Sequence, residues 1–559
     1  MSVQSRRDFM KTAAAAGALA ATGCNSETAS ETRPNIVLIM ADDMGFSDIG
    51  CYGGEVETPA IDSLAAEGLR FRQFYNTARC CPTRAALMTG LYPHQAGVGH
   101  MMTPYFKDGE LIPSYQGELS DNCVTIAEAL KPAGYTTLMS GKWHVVPAEG
   151  SEPSRPVVGK KNWPRQRGFD RFFGTIHGAG SFYNPPSLTL DNDPIEPDSD
   201  DFYYTTEIGR HAEQFVEEAP RDSPFFLYMP FTSPHWPLHA LDEDIAQYTG
   251  RYDAGWDELR RERHERMTQM DLVREEWEIT DRDPSVPPWE DAPNKEWEAR
   301  RMEVYAAQIS AMDRAIGGVV DKLKQIDAFD NTLILFLADN GGCAEILSTR
   351  SGGLHIPSVT RDGTAVKVGN DPQEMPGQAD DYQSYGTPWA NASNTPFRLY
   401  KHWVHEGGIS SPLIAHWPKG LKTAGEWTDE PSHLIDIMAT CVDVGGASYP
   451  TERQGAVVTP VEGRSLKAHF DGRTPVPERT IYWEHEGNRA VRQGKWKIVS
   501  KWSEPESVRW ELYDMEADRT EMHDLASEQP ERVNEMGAAW QIWADRVGVI
   551  EWRSWDGAA

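Results

Sequence analysis

Cysteine is scarce in this sequence, and the patterns that would give it a structural role are missing. There are seven cysteines in 559 residues, without the CxxC pairs of a structural zinc site and without the even, regular spacing of a disulfide scaffold. Basic residues are also in deficit, because the formal net charge is −31. A surface this acidic repels nucleic acid and anionic lipid, so no nucleic-acid partner is expected. Beyond the leader, no apolar run approaches the length of a transmembrane helix.

Residues 1–33 have the composition of a targeting segment and a tether. Arg6 and Arg7 precede an alanine-rich apolar run, which is the pattern of a twin-arginine export signal. Cys24 follows Ala-Thr-Gly, as in a bacterial lipoprotein cleavage site; a plain signal peptide with an incidental cysteine is the alternative. We therefore expect the twin-arginine export machinery as a partner and a periplasmic location, with membrane attachment only through a lipid on Cys24.

The stretch around which the rest of the chain is organised is residues 76–90, NTARCCPTRAALMTG. Pro82 suits the first turn of a helix, and Gly90 suits its C-terminal exit. Cys80 is then expected just ahead of the helix N-terminus, where free N–H groups and the helix dipole attract an anion. Arg84, one turn into the helix, can reach back to the same place. A buried cysteine before an ordinary helix is the alternative.

Polar side chains recur where predicted strands end. Short apolar runs predict buried strands at residues 35–40, 136–140, 224–231 and 331–337. The residues that follow these strands, in chain order, are Asp42 and Asp43, Lys142 and His144, His235, and Asp339 and Asn340. Ligands of open α/β sheets bind beyond the carboxyl ends of the strands. We therefore expect these side chains to form one site.

The carboxylates at two of these strand ends indicate a cation site. Asp42 and Asp43 repel each other unless a cation or a basic group lies between them. Asp339 and Asn340 add a third carboxylate and an amide oxygen, and hard oxygen ligands of this kind suit calcium or magnesium. Each group also has an ordinary explanation: an aspartate that caps a helix, a tight turn at Asp-Asn-Gly-Gly, or polar residues of the surface.

The order of strands and helices predicts an α/β fold, with a large mixed, mainly parallel sheet sandwiched by helices. Residues 34–445 are expected to form this catalytic domain, with the charged residues 242–291 as a surface insertion of low periodicity. Short strand patterns and a closing helix predict a smaller C-terminal α+β subdomain, containing an antiparallel sheet, at residues 446–559.

Several motifs carry a resemblance to a known family. Cys-Cys-Pro-Thr-Arg from Cys80, with the later Thr-Gly, resembles the signature of the formylglycine-dependent type I sulfatases of the alkaline phosphatase-like superfamily. Gly-Lys-Trp-His at residues 141–144 resembles a second signature of that family. His235, and Lys401 with its following Gly-Gly, resemble two further active-site residues. The resemblance covers nearly the whole mature chain and is greatest to bacterial arylsulfatases.

The resemblance implies hydrolysis of sulfate monoesters, aryl or carbohydrate. A formylglycine-generating enzyme would oxidise Cys80, and the hydrate of the product would attack sulfur and later expel sulfate. One calcium ion, rather than magnesium, would be held by the oxidised Cys80, Asp42, Asp43, Asp339 and Asn340. The other implied roles are hydrate stabilisation by Arg84, sulfate binding by Lys142 and Lys401, orientation or deprotonation of the diol by His144, and leaving-group assistance by His235.

Two other functions stay open at this point. A phosphatase or phosphonate-ester hydrolase of the same superfamily is one, although a cysteine rather than a serine or threonine at position 80 favours a sulfatase. An exported sulfoglycan-binding protein that has lost catalysis is the other, but none of the expected ligands or the nucleophile is missing. The sequence leaves the natural substrate and the oligomeric state undetermined.

Overall fold

The fold is built on a mixed sheet, seen in a computed structural model as eleven strands. The structure describes residues 33–147, 159–353, 355–473, 477–503 and 508–557; the leader with Cys24 lies outside the described residues. The strands of this sheet are β1 (Asn35–Ala41), β2 (Leu69–Tyr75), β3 (Thr136–Ser140), β4 (Arg171–Thr175), β5 (Leu188–Leu190), β6 (Asp193–Pro194), β7 (Phe225–Pro230), β8 (Thr332–Ala338), β9 (Ser410–His416), β10 (Trp427–Thr428) and β11 (Ser432–His433).

The strand order is β10-β2-β9-β8-β1-β7-β3-β4-β5-β6, and β11 also pairs with β2. The five neighbours from β8 to β4 are parallel, whereas β9 runs antiparallel to both β8 and β2. Two-stranded pairings outside this sheet join residues 106–107 to 110–111, 367–368 to 381–382, and 452–453 to 456–457. The predicted mainly parallel α/β sheet is confirmed.

Helices cover both faces of the sheet. They are α1 (Pro59–Ala66), α2 (Cys80–Thr89), α3 (Ile126–Leu130), α4 (Tyr204–Glu218), α5 (Asp242–Ala246), α6 (Gly255–Gln269), α7 (Lys295–Gln325), α8 (Gly386–Ser393), α9 (Glu406–Ile409), α10 (Asp436–Val444), α11 (Lys467–Phe470) and α12 (Pro530–Val547). Alternate residues of β1 belong to different hydrophobic cores: Val37, Ile39 and Ala41 to the core under α1, α4 and α7, and Ile36, Leu38 and Met40 to the core under α2, α3 and α10. This burial on both faces explains why the strand is apolar throughout.

The expectation of a surface insertion at residues 242–291 was wrong. The segment contains α6, whose buried face includes Trp256, Arg263 and Met267. Arg263 donates to Glu55 Oε2 at 2.8 Å and to Asp48 Oδ1 at 2.7 Å. The helix has low apolar periodicity because its inner face carries an arginine that is paired with buried carboxylates.

The helix of the organising motif begins one residue earlier than predicted. Cys80 is the first residue of α2, and Arg79 occupies the cap position in an extended conformation. Gly90 ends the helix as expected, with a left-handed φ of 69°. A side chain there would also meet Met438, because a built Cβ lies 2.7 Å from the Cβ of that residue. The whole helix is buried, which fixes the position of Cys80 relative to the sheet.

The C-terminal residues form the predicted antiparallel sheet, with strands β12 (Thr480–His485), β13 (Asn488–Gln493), β14 (Trp496–Ser500) and β15 (Glu511–Asp514) in sequential order. One face of this sheet packs in the same core as α12, and the other packs on the segment that precedes α2. Trp483 Nε1 donates to the carbonyl of Asn76 at 2.8 Å. The sheet therefore supports the backbone that leads to Cys80. The domain boundary at residues 445 and 446 stays a prediction.

Candidate active site

The predicted strand-end residues meet at one edge of the main sheet. β1 and β8 pair in parallel, with Ala41 opposite Ala338, and β7 lies on the other side of β1. Because parallel strands share the edge at which they end, the residues that follow them come together. All of these residues are buried: Asp42, Asp43, Lys142, His144, His235, Asp339 and Asn340.

Each of the three carboxylates is paired with a cation from another element, and the partners of Asp42 and Asp339 are Lys142 and Arg84. Lys142 Nζ donates to Asp42 Oδ2 at 2.5 Å. Arg84 Nη2 donates to Asp339 Oδ2 at 3.0 Å, and its Nη1 donates to the carbonyl of Lys142 at 3.0 Å. Arg84 thus connects α2 with the loops after β3 and β8, and it reaches the carboxylates as the sequence suggested.

These contacts shift the acidities of the two carboxyls in opposite directions. Burial and the neighbouring Asp42 carboxylate raise the pKa of Asp339 well above its usual range, although Arg84 opposes this. Burial acts on Asp42 as well, but there Lys142 and Arg84 outweigh it and lower the pKa. Carboxylates this close together do not all ionise readily without additional positive charge. The group therefore favours a bound cation.

Asp43, the third carboxylate, is bracketed by Lys401 and His235. Lys401 Nζ donates to Asp43 Oδ2 at 2.8 Å, and His235 Nε2 lies 3.3 Å from the same oxygen. His235 Nδ1 is 2.6 Å from the carbonyl of Trp236; since a carbonyl accepts, Nδ1 carries the proton of that bond. Nε2 therefore faces the site, 3.4 Å from Lys401 Nζ.

Two buried oxygens at this edge have no donor within the described part of the chain, namely Asp42 Oδ1 and Asn340 Oδ1. The amide of Asn340 is oriented by its Nδ2, which donates to Asp43 Oδ1 at 2.7 Å and to the carbonyl of Gly341 at 2.9 Å. Arg84 Nη2 is the nearest cation to Asp42 Oδ1, at 3.5 Å. Buried acceptors without donors are costly, and oxygen atoms of this kind are the ligands that calcium prefers.

Cys80 and Cys81 lie against this group. A hydrogen bond from Cys81 and the charges of Lys142 and Lys401 lower the pKa of Cys80 well below its usual value, although burial opposes this. Cys81 Sγ is 3.4 Å from His144 Nε2. Burial and the charge of Lys142 lower the pKa of His144 to about 3, so its imidazole is neutral near pH 7. The position of the Cys80 side chain is thus suited to an anion, with a neutral base beside it.

The Gly-Gly pair after Lys401 has a steric role. A Cβ on Gly408 would lie 1.9 Å from the carbonyl oxygen of Trp403, and a Cβ on Gly407 would lie 2.3 Å from that of Arg398. Only glycine permits this close approach of the turn that carries Lys401. The main-chain N–H of Lys401 donates to the carbonyl of Gly342 at 3.1 Å, next to the Asp-Asn-Gly-Gly turn.

Sequence reasoning missed one pair on the wall of the site. Arg79, which precedes Cys80, forms an ion pair with Glu345 at 3.0 Å. Trp236 Nε1 donates to the other oxygen of Glu345 at 2.9 Å, and the charge of Lys401 lowers the pKa of this carboxyl. Arg79 could have been found from the sequence because it lies next to the Cys-Cys-Pro motif. Nothing in the sequence around Glu345 indicates that this loop residue belongs to the site.

Comparison with known proteins assigns the family. The sulfatase family model matches residues 34–447, and a model described as N-sulphoglucosamine sulphohydrolase, C-terminal, matches residues 397–538. The chain belongs to the sulfatase family. It is therefore an enzyme of the class that hydrolyses sulfate esters, and the resemblance stated from the motifs is confirmed. A noncatalytic binding protein is not favoured.

Individual relatives agree with this assignment. The chain is 33% identical to an uncharacterized sulfatase of Schizosaccharomyces pombe, over 94% of this chain and 96% of the relative. It is 32% identical to an arylsulfatase of Klebsiella aerogenes, over 82% of this sulfatase and 96% of the relative. The crystal structure of Ps i-CgsB in complex with k-i-k-neocarrahexaose has the same fold, with a TM-score of 0.62, 24% identity, and coverage of 92% and 93% of the two chains.

The leader of this sulfatase also matches a known model. The twin-arginine translocation signal matches residues 4–23, so export by this route is supported. Across the described residues, none of the helices has both the length and the apolar character needed to span a membrane. Lipidation of Cys24 stays a prediction.

Proposed function

We propose that this sulfatase hydrolyses sulfate monoesters through a formylglycine made from Cys80, beside a calcium ion held by Asp42, Asp43, Asp339 and Asn340. The observation that carries the proposal is the pair of donorless oxygens, Asp42 Oδ1 and Asn340 Oδ1, buried among the described residues next to Cys80. A metal ion gives such oxygens the partner that they lack.

The donor set fits calcium better than a softer metal. Three carboxylates and one amide oxygen are hard ligands, and the side chain at position 80 would add a fifth oxygen once oxidised. Magnesium fits less well because it retains most of its water and demands a tighter geometry. When bound, calcium would polarise a sulfate oxygen and the nucleophile.

Oxidation at Cys80 would explain why a cysteine stands at this position. The thiol stands in the structure for the oxygen atoms of the modified residue, among the cations Lys142 and Lys401. As a hydrate, formylglycine supplies one hydroxyl that can bond to sulfur and a second whose oxygen can release the sulfate. A thiol offers no second hydroxyl. We therefore include a formylglycine-generating enzyme of the host as a maturation partner.

The two lysines are proposed to hold the sulfate group. Lys142 and Lys401 are buried, and their ammonium groups contact Asp42 and Asp43. Although burial opposes the charged form, Asp43 raises the pKa of Lys401 well above its usual value. Fixed cations of this kind stabilise the negative charge that develops on sulfate oxygens, and they need no reorganisation during the reaction.

Arg84 is proposed to position other groups in addition to stabilising the hydrate. Its Nη1 and Nη2 atoms are used by the Lys142 carbonyl and the Asp339 carboxylate. Such bonds fix the direction of one proposed calcium ligand and one proposed sulfate-binding lysine. Arg84 is therefore a positioning residue for both the proposed calcium site and the proposed sulfate-binding site.

The histidines are proposed to move protons. His144 is neutral, because its pKa is lowered to about 3, and a neutral imidazole can accept a proton from the diol. His235 is oriented by its Nδ1–H bond to the Trp236 carbonyl, which directs Nε2 toward the site. A proton held at Nε2 would pass to the leaving oxygen.

Mass spectrometry tests the nucleophile directly. The peptide that contains residues 80–84 should carry an aldehyde at Cys80 and an intact thiol at Cys81 in active protein from a host that modifies it. Cys80→Ala should abolish sulfatase activity, whereas Cys81→Ala, the matched control, should retain it where modification proceeds. Full turnover by protein with an unmodified Cys80 would contradict the proposal and favour another hydrolase mechanism.

The substrate is proposed to be an aryl sulfate or a sulfated carbohydrate, in the periplasm. The arylsulfatase of Klebsiella aerogenes supports the first class, and no contact in the site distinguishes the two classes among the described residues. A panel of aryl sulfates, sulfated sugars, and phosphate and phosphonate esters would decide. Higher kcat/KM for a phosphate or phosphonate ester than for every sulfate would contradict the proposal.

A further inference from the structure

A second group of metal-binding side chains lies beside the proposed active site. The group, here called the His–Glu cluster, consists of His100, His402, His485 and Glu486. One ligand atom each from His100, His485 and Glu486 lie within 4.8 Å of one another. These residues come from three distant parts of the chain, and the proposed mechanism uses none of them.

Glu486 is the centre of the cluster. Its Oε1 lies 2.6 Å from His100 Nε2, and its Oε2 lies 2.5 Å from His402 Nδ1. His485 Nε2 is 3.5 Å from Glu486 Oε1. Three imidazoles therefore surround one carboxylate, with His485 fully buried and the other three side chains between 14% and 28% exposed. A small ligand can reach the cluster from the solvent side.

His485 lacks the hydrogen bonds that a buried imidazole requires. As far as the described residues go, neither of its ring nitrogens has a hydrogen-bond partner. Its ring stacks on that of His100, with centroids 5.5 Å apart. A buried polar group without a hydrogen bond lowers the free energy of unfolding by about 1–3 kcal/mol. The unpaired nitrogens of His485 therefore indicate that a ligand binds there. A metal ion would accept the lone pair of one ring nitrogen and so remove part of this cost.

The surroundings orient the cluster as they orient known metal ligands. His100 Nε2 donates to Glu486, and Tyr105 Oη lies 2.5 Å from His100 Nδ1. If a metal ion replaces the Nε2 proton, the Tyr105 hydroxyl can accept a proton from Nδ1 and hold the ring in the ligating tautomer. His402 is held by its main chain, which donates to the carbonyl of Ala78 at 2.8 Å. The contact between Tyr105 and His100 Nδ1 is of a common kind, because a histidine that binds a metal through one ring nitrogen usually forms a hydrogen bond through the other.

We propose that the His–Glu cluster binds one divalent transition-metal ion, with zinc as the best match, at a site separate from the proposed calcium site. Imidazole nitrogens with one carboxylate suit zinc, whereas calcium takes oxygen ligands. His100, His485 and Glu486 are the ligands, and His402 positions the second carboxylate oxygen. The ion would join the C-terminal sheet to the loop after α2, which carries His100, and to the turn after Lys401, which carries His402.

Cobalt and zinc are the probes for this site. The full chain, purified without a histidine tag and treated with chelator, is dialysed into calcium buffer and titrated with Co²⁺. We expect one equivalent to give visible d–d absorption bands, which Zn²⁺ displaces. His485→Asn and Glu486→Gln should lose these bands, and Tyr105→Phe should weaken Co²⁺ binding about 10–100-fold. Zinc should raise the melting temperature of the unaltered protein and leave that of His485→Asn unchanged.

Two control variants separate this site from its neighbours. His94→Gln alters another buried histidine paired with a glutamate, Glu484 at 2.8 Å, and should retain the Co²⁺ bands. Asp339→Asn alters the proposed calcium site and should also retain them, so failure of the proposed function and failure of this inference are distinguishable. Circular dichroism verifies that each variant is folded. If His485→Asn is unfolded, the Co²⁺ affinity of Tyr105→Phe still tests the proposal. Absence of stoichiometric Co²⁺ binding, or binding unchanged in His485→Asn, Glu486→Gln and Tyr105→Phe, would overturn the proposal.

Discussion

The substitution Asn340→Asp separates a calcium ligand from a structural amide, because calcium should restore stability only if Asn340 is a ligand. Asn340 Nδ2 donates to Asp43 Oδ1 at 2.7 Å and to the Gly341 carbonyl at 2.9 Å. Aspartate cannot donate there when ionised, and it directs a negative charge at Asp43. Its Oδ1 atom, however, would be a better calcium ligand than an amide oxygen.

The magnitude follows from these contacts. Loss of a hydrogen bond to a charged group costs about 1.5–3 kcal/mol, and repulsion between the carboxylates adds to it. In chelator, Asn340→Asp should therefore lower the free energy of unfolding by at least about 2 kcal/mol. If the added charge tightens calcium binding a hundredfold, saturating calcium recovers about 2.7 kcal/mol of that loss. The destabilisation should then nearly vanish.

The assay is urea unfolding, followed by fluorescence, of both proteins in chelator and in excess calcium. Asn394→Asp is the matched control, because Asn394 is also buried at this edge and donates to the Leu399 carbonyl at 3.1 Å. It is not a proposed ligand, so its destabilisation should be the same in both buffers. An equal loss for Asn340→Asp with and without calcium would refute its assignment as a ligand.

Three further outcomes are expected. His235→Ala should slow sulfates with poor leaving groups most, by about 10²–10⁴-fold, because the proposed general acid is lost; an equal loss across a series of aryl sulfates would assign His235 another role. Burial lowers the pKa of His239 from 6.5 to about 4, so the unfolded chain binds this proton first as the pH falls. The free energy of unfolding should drop by up to about 3 kcal/mol between pH 6.5 and 4, and a His239→Gln variant with an unchanged pH profile would contradict this. Lys497 is fully buried, and its Nζ lies 2.7 Å from both Glu406 and Glu521. Lys497→Met should therefore lower the free energy of unfolding in urea by about 3–5 kcal/mol. Lys495→Met is the control, because Lys495 is half-exposed and paired with Asp514, and it should lower this free energy by less than about 1 kcal/mol.

The parts of the fold that the sequence predicted are those governed by local pattern. The strand Asn35–Ala41 is apolar on both faces, and the polar pair Asp42 and Asp43 follows at once. An apolar strand followed directly by two aspartates is a distinctive sequence pattern. The order of strands in the sheet then brings the carboxyl end of this strand beside the carboxyl ends of the neighbouring strands. Placement of the candidate site therefore required only that the strands be parallel.

The strand Leu69–Tyr75 was missed because tertiary contacts supply what its sequence lacks. It contains Arg70 and Arg72, which read as surface residues. Both guanidinium groups lie over the ring of Trp427, at 4.2 Å and 5.1 Å from its centroid, and Arg72 also pairs with Asp271 at 3.0 Å. These partners are some 200 to 360 residues away in sequence, so no local period could reveal them.

The His–Glu cluster shows the same limit at a candidate site. Glu486 and His100 are separated by 386 positions, and they meet where the C-terminal sheet contacts the loop that follows α2. His485 is the last residue of β12 and Glu486 begins the turn to β13, where a histidine and a glutamate would ordinarily be solvent-exposed. The burial of His485 follows from packing between distant elements, and only the structure reveals it.

Charge explains how a strongly acidic protein can bind an anionic substrate. The formal net charge of −31 acts at long range and is screened by salt beyond about 8–10 Å. Within the proposed site, the cations Arg84, Lys142 and Lys401 are matched by the carboxylates Asp42, Asp43 and Asp339. A divalent cation among these carboxylates would make the group net positive and would oppose the raised pKa of Asp339. The site would then attract a sulfate monoester only after its metal is bound, which makes metal binding the first event in the proposed function.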